Sequence, residues 1–102
     1  MRFAITLAMG LLTATGALAD VANGASLAGE WCVRCHDISV GGEMKTMPPS
    51  FASIAAFRAA EQIQMRIMFP TMHSSMPAWA MMHSPDEVDD LVAYIQSLEG
   101  VD

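Results

Sequence analysis

Residues 32–36 read Cys32-Val33-Arg34-Cys35-His36, and the rest of the chain is read from this run. In a helical turn, side chains at i and i+3 share one face, so the two thiols point the same way and the imidazole follows directly. Cys32 and Cys35 are the only cysteines in the chain. Two thiols three apart do not make the disulfide framework of a small secreted domain, which usually has about four cysteines or more. A structural zinc site needs two further ligands at matching spacing, and only His73 and His83, ten apart, remain. A thioredoxin-type redox pair needs a strand before it and a sheet around it, and no strand pattern is visible.

What the spacing does fit is covalent c-type haem attachment. Each thiol adds to one of the two haem vinyl groups while the adjacent imidazole turns inward to the iron, so one short segment fixes the porphyrin at three points. The size of the chain agrees with this. Its 102 residues bound it to one small domain. Met1-Arg2, the apolar run from Phe3 to Leu18 and the small-x-small site Ala17-Leu18-Ala19 read as a secretory leader over 1–19, cleaved before Asp20. The mature domain is then 20–102, with 83 residues, no second hydrophobic span and an expected place outside the cytoplasm. A core of that size supplies few kcal/mol net, so a staple is expected, and a bound haem is one.

Composition excludes other classes. The net charge of −6 and a pI of about 4.7, without a Lys/Arg cluster, argue against nucleic-acid binding. With 53% hydrophobic and 16% charged residues, disorder is equally excluded.

Outside the motif the pattern is helical. Residues 20–31 have the Ala/Leu/Glu content of a short helix weakened by Gly24 and Gly29. Residues 37–49, with paired glycines and paired prolines, form a loop long enough to wrap around something. Residues 50–56 predict a short helical turn. Residues 59–69, with Ile63 and Ile67 four apart and Pro70 as the stop, predict a firmer helix. Residues 70–83 are aperiodic. The last helix has the clearest signals: Ser84 as N-cap, Pro85 at the first position, Glu87 closing a capping box, and Asp86, Asp89 and Asp90 near the positive dipole end. Val88, Leu91, Val92, Ile95 and Leu98 make its apolar stripe and Gly100 its stop. The fold class expected is all-α, with helices wrapped around one covalent haem.

If His36 is the proximal ligand, the second axial ligand comes from Met72, His73, Met76, Met81, Met82 or His83. Met76 is favoured because Pro77 stiffens its backbone in an aperiodic stretch, and a thioether raises the reduction potential. Met65, Met68 and Met72 are spaced like one helix face and read as flexible packing against haem or neighbouring helices; a soft-metal site of Met68, Met72, His73, Met76, Met81 and Met82 is the sharper alternative. Trp79 either donates its indole N–H to a haem propionate or simply packs. His73 and His83 read as solvated loop histidines, and the acidic cluster 86–90 as a solvated helix start.

With Cys32-Val33-Arg34-Cys35-His36, then Met76-Pro77, then a last helix containing Leu91, Tyr94 and Ile95, residues 20–102 resemble the class I cytochromes c, particularly the small bacterial ones. The resemblance implies a first helix that crosses the last through a glycine, here Gly24, against Leu91 and Tyr94. It also implies a proline carbonyl that accepts the proximal histidine's ring N–H; Pro49 is the match and Pro48 the rival. Ala28 stands where the family often has an aromatic, with Trp31 as a compensator. The implied function is one-electron transfer without substrate conversion, from the cofactor-binding residues Cys32, Cys35, His36 and Met76, the last two as iron ligands. The alternatives are a haem peroxidase or gas sensor in which Met76 is displaced, and a fixed electron-transfer subunit of a larger redox enzyme. The expected partners are periplasmic redox proteins with a basic or apolar docking face, met by a monomer.

Overall fold

The computed structural model describes residues 18–71 and 75–101. The expected leader falls almost wholly outside the described residues, as do His73 and Met72. Among the described residues four α-helices follow in order: α1 (Val21–Leu27), α2 (Phe51–Phe57), α3 (Ala60–Met68) and α4 (Pro85–Ser97). Among the described residues the only β-type pairing is an isolated bridge between Thr46 and Pro49. The all-α expectation holds.

Local chemistry accounts for each helix end. Asp20 caps α1 by accepting the Asn23 N–H at 3.0 Å, and Ser50 caps α2 by accepting that of Ser53 at 3.1 Å. The Gln62 side chain accepts the Ala59 N–H before α3 at 3.0 Å. In α4 the reciprocal box is complete: Ser84 Oγ accepts from Glu87 N at 3.2 Å and Glu87 Oε1 from Ser84 N at 3.1 Å. Gly100, at φ +68°, takes the left-handed backbone two residues beyond the C-cap Leu98.

The first helix differs from a plain α-helix. After Leu27 it widens into a π-turn over Ala28–Cys32, closed by Val33 N–H to the Ala28 carbonyl at 3.1 Å. That turn delivers the cysteine segment to the end of α1. The aperiodic stretch before α4 contains a 3₁₀ turn at Trp79–Met81.

The domain is organised by α1 crossing α4. A Cβ added to Gly24 would stand 2.0 Å from the Asp90 carbonyl oxygen and 2.8 Å from Tyr94 Cβ, so only glycine allows the two backbones this close. Ala28, one turn on, is fully buried. A small residue there serves the close approach, and Trp31 stands on Trp79 and His83, with ring centroids at 5.6 and 5.4 Å. The stripe Val88, Leu91, Val92, Ile95 and Leu98 is buried throughout and packs with Ile63 and Ile67 of α3 and Phe51 and Ala55 of α2.

Met65 is 55% exposed, while Met68 three residues on packs against the core. One expectation is corrected here. Asp90 is not simply solvated. Its carboxylate accepts the Asp20 backbone N–H at 2.7 Å and the Asn23 side-chain amide at 2.8 Å, tying the start of α1 to α4. The helix crossing brings these groups together from the two ends of the chain.

Candidate haem-binding site

The cysteine segment is a helical turn, with the N–H groups of Cys35 and His36 donating to the Cys32 carbonyl at 3.2 and 2.9 Å. Both thiols are free. Cys35 is exposed; Cys32 is buried at the base of the turn, and that burial pushes its thiol up to about 11, so it stays protonated at neutral pH.

His36 is half-buried, with Phe51 of α2 against its ring at 5.4 Å. Its Nδ1 lies 2.6 Å from the Pro49 carbonyl oxygen. A carbonyl only accepts, so Nδ1 carries the proton and Nε2 keeps its lone pair. The same bond orients the ring, as the outer partner of a metal-ligating histidine does. Pro49 rather than Pro48 occupies this position.

The loop carrying that carbonyl is held at both ends. Phe51 N–H donates to the Asp37 carbonyl at 2.8 Å. The Asp37 carboxylate accepts both the hydroxyl and the backbone N–H of Ser39; these bonds, with the Lys45 charge adding to them, hold its carboxyl below the usual range. From α4, the Tyr94 hydroxyl donates to the Ile38 carbonyl at 2.5 Å, and its ring meets Phe51 at 6.3 Å. Tyr94 therefore links the last helix to the loop that holds His36. The spacing of the sequence alone did not reveal this tie.

Met76 is half-buried and packs against the core. Met81 and Met82 are exposed, at 85% and 54%. His83 departs from the expectation of a solvated loop residue. Its ring stacks on the buried Trp79 at 4.8 Å, its Nδ1 faces Glu87 Oε2 at 3.2 Å, and its Nε2 is buried. The 3₁₀ turn, closed by His83 N–H to the Trp79 carbonyl at 3.0 Å, folds the two rings together. Trp79 is packed between the Trp31 and His83 rings. The spacing of His83 to Glu87, four apart at a helix start, was the sequence signal for this pair.

Glu87 also supplies a test by pH. The Ser84 backbone N–H first, and His83 next, hold its carboxyl below the ordinary 4.5. A lowered carboxylate contributes stability above its unfolded value and loses it as pH falls through the folded one. The thermal midpoint should therefore drop on acidification below about pH 4.5, and Glu87→Gln should flatten that part of the curve. Melting the holo-protein across an acid pH series checks this.

The residues present suit haem. A thiol pair on one turn and a carbonyl-anchored imidazole supply the donor set. In addition Val33, Val40, Met44, Met47 and Phe69 stand 52–88% exposed, apolar surface in the segments flanking the motif and the last loop for which the protein core has no place. An all-α fold with these features is that of a c-type cytochrome. The chain belongs to that family: the model described as "Cytochrome C oxidase, cbb3-type, subunit III" matches residues 19–95. Cytochrome c-552 of Bradyrhizobium diazoefficiens is 32% identical over 95 residues, which cover 92% of this chain and 89% of that protein. No solved structure gives a significant match. Family membership makes haem-based electron transport the function at this level, and cytochromes of this kind are generally carriers rather than enzymes. Among the described residues no helix is long and apolar enough to cross a membrane.

Proposed function

We propose that the protein is a one-electron carrier of the bacterial periplasm, formed when residues 1–19 are removed. One haem is bonded through thioethers to Cys32 and Cys35, and His36 and Met76 supply the axial ligands. When bound, the haem supplies a ferric/ferrous couple. The observation that carries the reading is the 2.6 Å bond from His36 Nδ1 to the Pro49 carbonyl, which presents Nε2 as a ligand beside two thiols on the same turn.

Each residue has a distinct part. Cys32 and Cys35 would hold the haem through thioether bonds, Pro49 holds the imidazole's tautomer and plane, and Tyr94 holds the loop that carries Pro49. Met76, stiffened by Pro77, would supply a thioether to the iron. With His36 and Met76 both holding the iron, no open position would be left for a substrate. That favours a carrier over an enzyme.

Met76→Ala tests the ligand set. It should abolish the far-red charge-transfer band of methionine-ligated ferric haem, lower the potential and admit carbon monoxide. An unchanged band, with loss instead in Met72→Ala or Met81→Ala, moves the assignment. A wild-type protein that already binds carbon monoxide fast favours the peroxidase or gas-sensor reading. The description of the matching family favours a second reading, a fixed subunit of a terminal oxidase. Purification from the native host at low salt, with or without an associated redox enzyme, separates the two.

The partner follows from charge. After removal of Arg2 the balance is 4 − 11 = −7, and the basic residues are Arg34, Lys45, Arg58 and Arg66, dispersed along the chain. A docking face that is basic or largely apolar fits such a surface, in a small transient encounter where charge acts mainly on the association rate. In stopped-flow mixing, a basic redox protein should react faster than an acidic one and slow as salt rises. Faster reaction with the acidic protein at low salt would refute this.

A further inference from the structure

The contact that closes α1 onto α4 uses a backbone nitrogen adjoining the expected cleavage site. Asp20 N–H donates to Asp90 Oδ1 at 2.7 Å, while Asn23 Nδ2 donates to the other oxygen at 2.8 Å. The bond between Ala19 and Asp20 lies just before α1, in non-helical backbone, and Leu18 beside it is 93% exposed. That segment runs along a groove between α3 and α4 whose titratable walls are Asp20, Glu61, Asp86, Asp89 and Asp90, with no basic side chain among its described lining residues. A cation placed at Asp20 N would meet a carboxylate at hydrogen-bond distance and further negative charges around it.

We infer that leader removal completes this clamp: hydrolysis between Ala19 and Asp20 turns the neutral amide donor into the α-ammonium of Asp20, which pairs with Asp90 and becomes the counter-ion of the acidic groove. The inference rests on the reading of 1–19 as a removed leader. The step consumes one water at a leader-removing peptidase. The C–N bond breaks, the released leader keeps the Ala19 carboxylate, and the mature chain keeps the nitrogen as an ammonium. The amide N–H bond to the Asp90 carboxylate is already charge-assisted on the acceptor side; cleavage adds a positive charge on the donor, so Coulomb attraction at the same geometry ties α1 to α4 more firmly after cleavage than before. A positive charge at the start of a helix is unfavourable by itself; the carboxylates of Asp20 and Asp90 offset it. Pairing with Asp90 raises the α-amine above its ordinary range of about 7.7–8.0. By linkage, the added stability is full below that range and is lost as pH rises through the raised value.

The test uses the exported holo-protein. Its intact mass identifies the first residue. Acetic anhydride labelling of the α-amine across a pH series, normalised to Lys45, the only lysine, then reports how much unprotonated amine is present. At about pH 7.5, Asp90→Asn should label on the order of threefold faster than wild type, the effect of half a pKa unit. A single Ala inserted before Asp20 restores the peptide N–H and moves the ammonium by about 3.8 Å, and should label as fast as Asp90→Asn; it decides the matter if Asp90→Asn does not fold. A mature chain that begins elsewhere overturns the processing step. A chain that begins at Asp20 but labels identically in wild type and variants overturns the clamp and leaves the processing intact.

Discussion

Denaturing electrophoresis followed by haem staining should leave the stain on the wild-type band, whereas Cys32→Ser/Cys35→Ser should lose it completely. The proposed thioethers are covalent bonds that unfolding would not break, whereas without both thiols only axial ligation would remain, which unfolding abolishes. The second half of the expectation is thermodynamic. Among the described residues the largest side chains fully withdrawn from solvent are Ile95 and Ser50, while Met47, Phe57 and Phe69 are 88%, 75% and 62% exposed. A chain with so thin a core has little net stability once conformational entropy is counted, so the haem-free protein should lack a cooperative thermal transition. Circular dichroism melting of the haem-free chain checks this. Loss of stain from the wild-type band would refute covalent attachment, and a sharp melt of the haem-free protein would refute the cofactor's part in folding.

Gly24→Ala should have an effect nearly as large, from the addition of one methyl group. Its Cβ would lie 2.0 Å from the carbonyl oxygen and 2.6 Å from the carbonyl carbon of Asp90, and both are backbone atoms of α4 that no rotamer change can move. Relief requires the helices to separate, which loosens the Asp90 bonds to Asp20 and Asn23 and the burial of Ala28. Overpacking of this kind costs about 3 kcal/mol. In a domain of this size that corresponds to a fall of roughly 12–24 °C in Tm. Gly29→Ala is the control. It lies on the same continuous helical segment, nothing stands within 4 Å of its Cβ, and alanine is the better helix former. Thermal melting of both holo-variants should therefore show a large loss for Gly24→Ala and none for Gly29→Ala. Equal effects would mean that the crossing is not what holds the domain together.

The features legible in the sequence are those whose partners lie within one turn. Cys32, Cys35 and His36 share a turn because their spacing places them there. Ser84 and Glu87 form a capping box because each reaches the other's backbone across three residues, and the buried stripe of α4 follows from its 3.6-residue period. The family resemblance added Gly24 and a proline carbonyl as expectations, with Pro49 as the match and Pro48 as the rival. The long-range pairings were decided by the tertiary structure. His36 receives Pro49 from 13 residues away, Tyr94 reaches Ile38 across 56, and Asp90 reaches Asp20 across 70. His83 became a buried ring because the 3₁₀ turn lays it on Trp79, and Met65 turned outward while Met68 turned in. No local period encodes these outcomes, because they depend on where α4 lies against α1 and against the loops. That position is set by how closely two backbones approach at Gly24, a property of the folded pair and not of either segment alone.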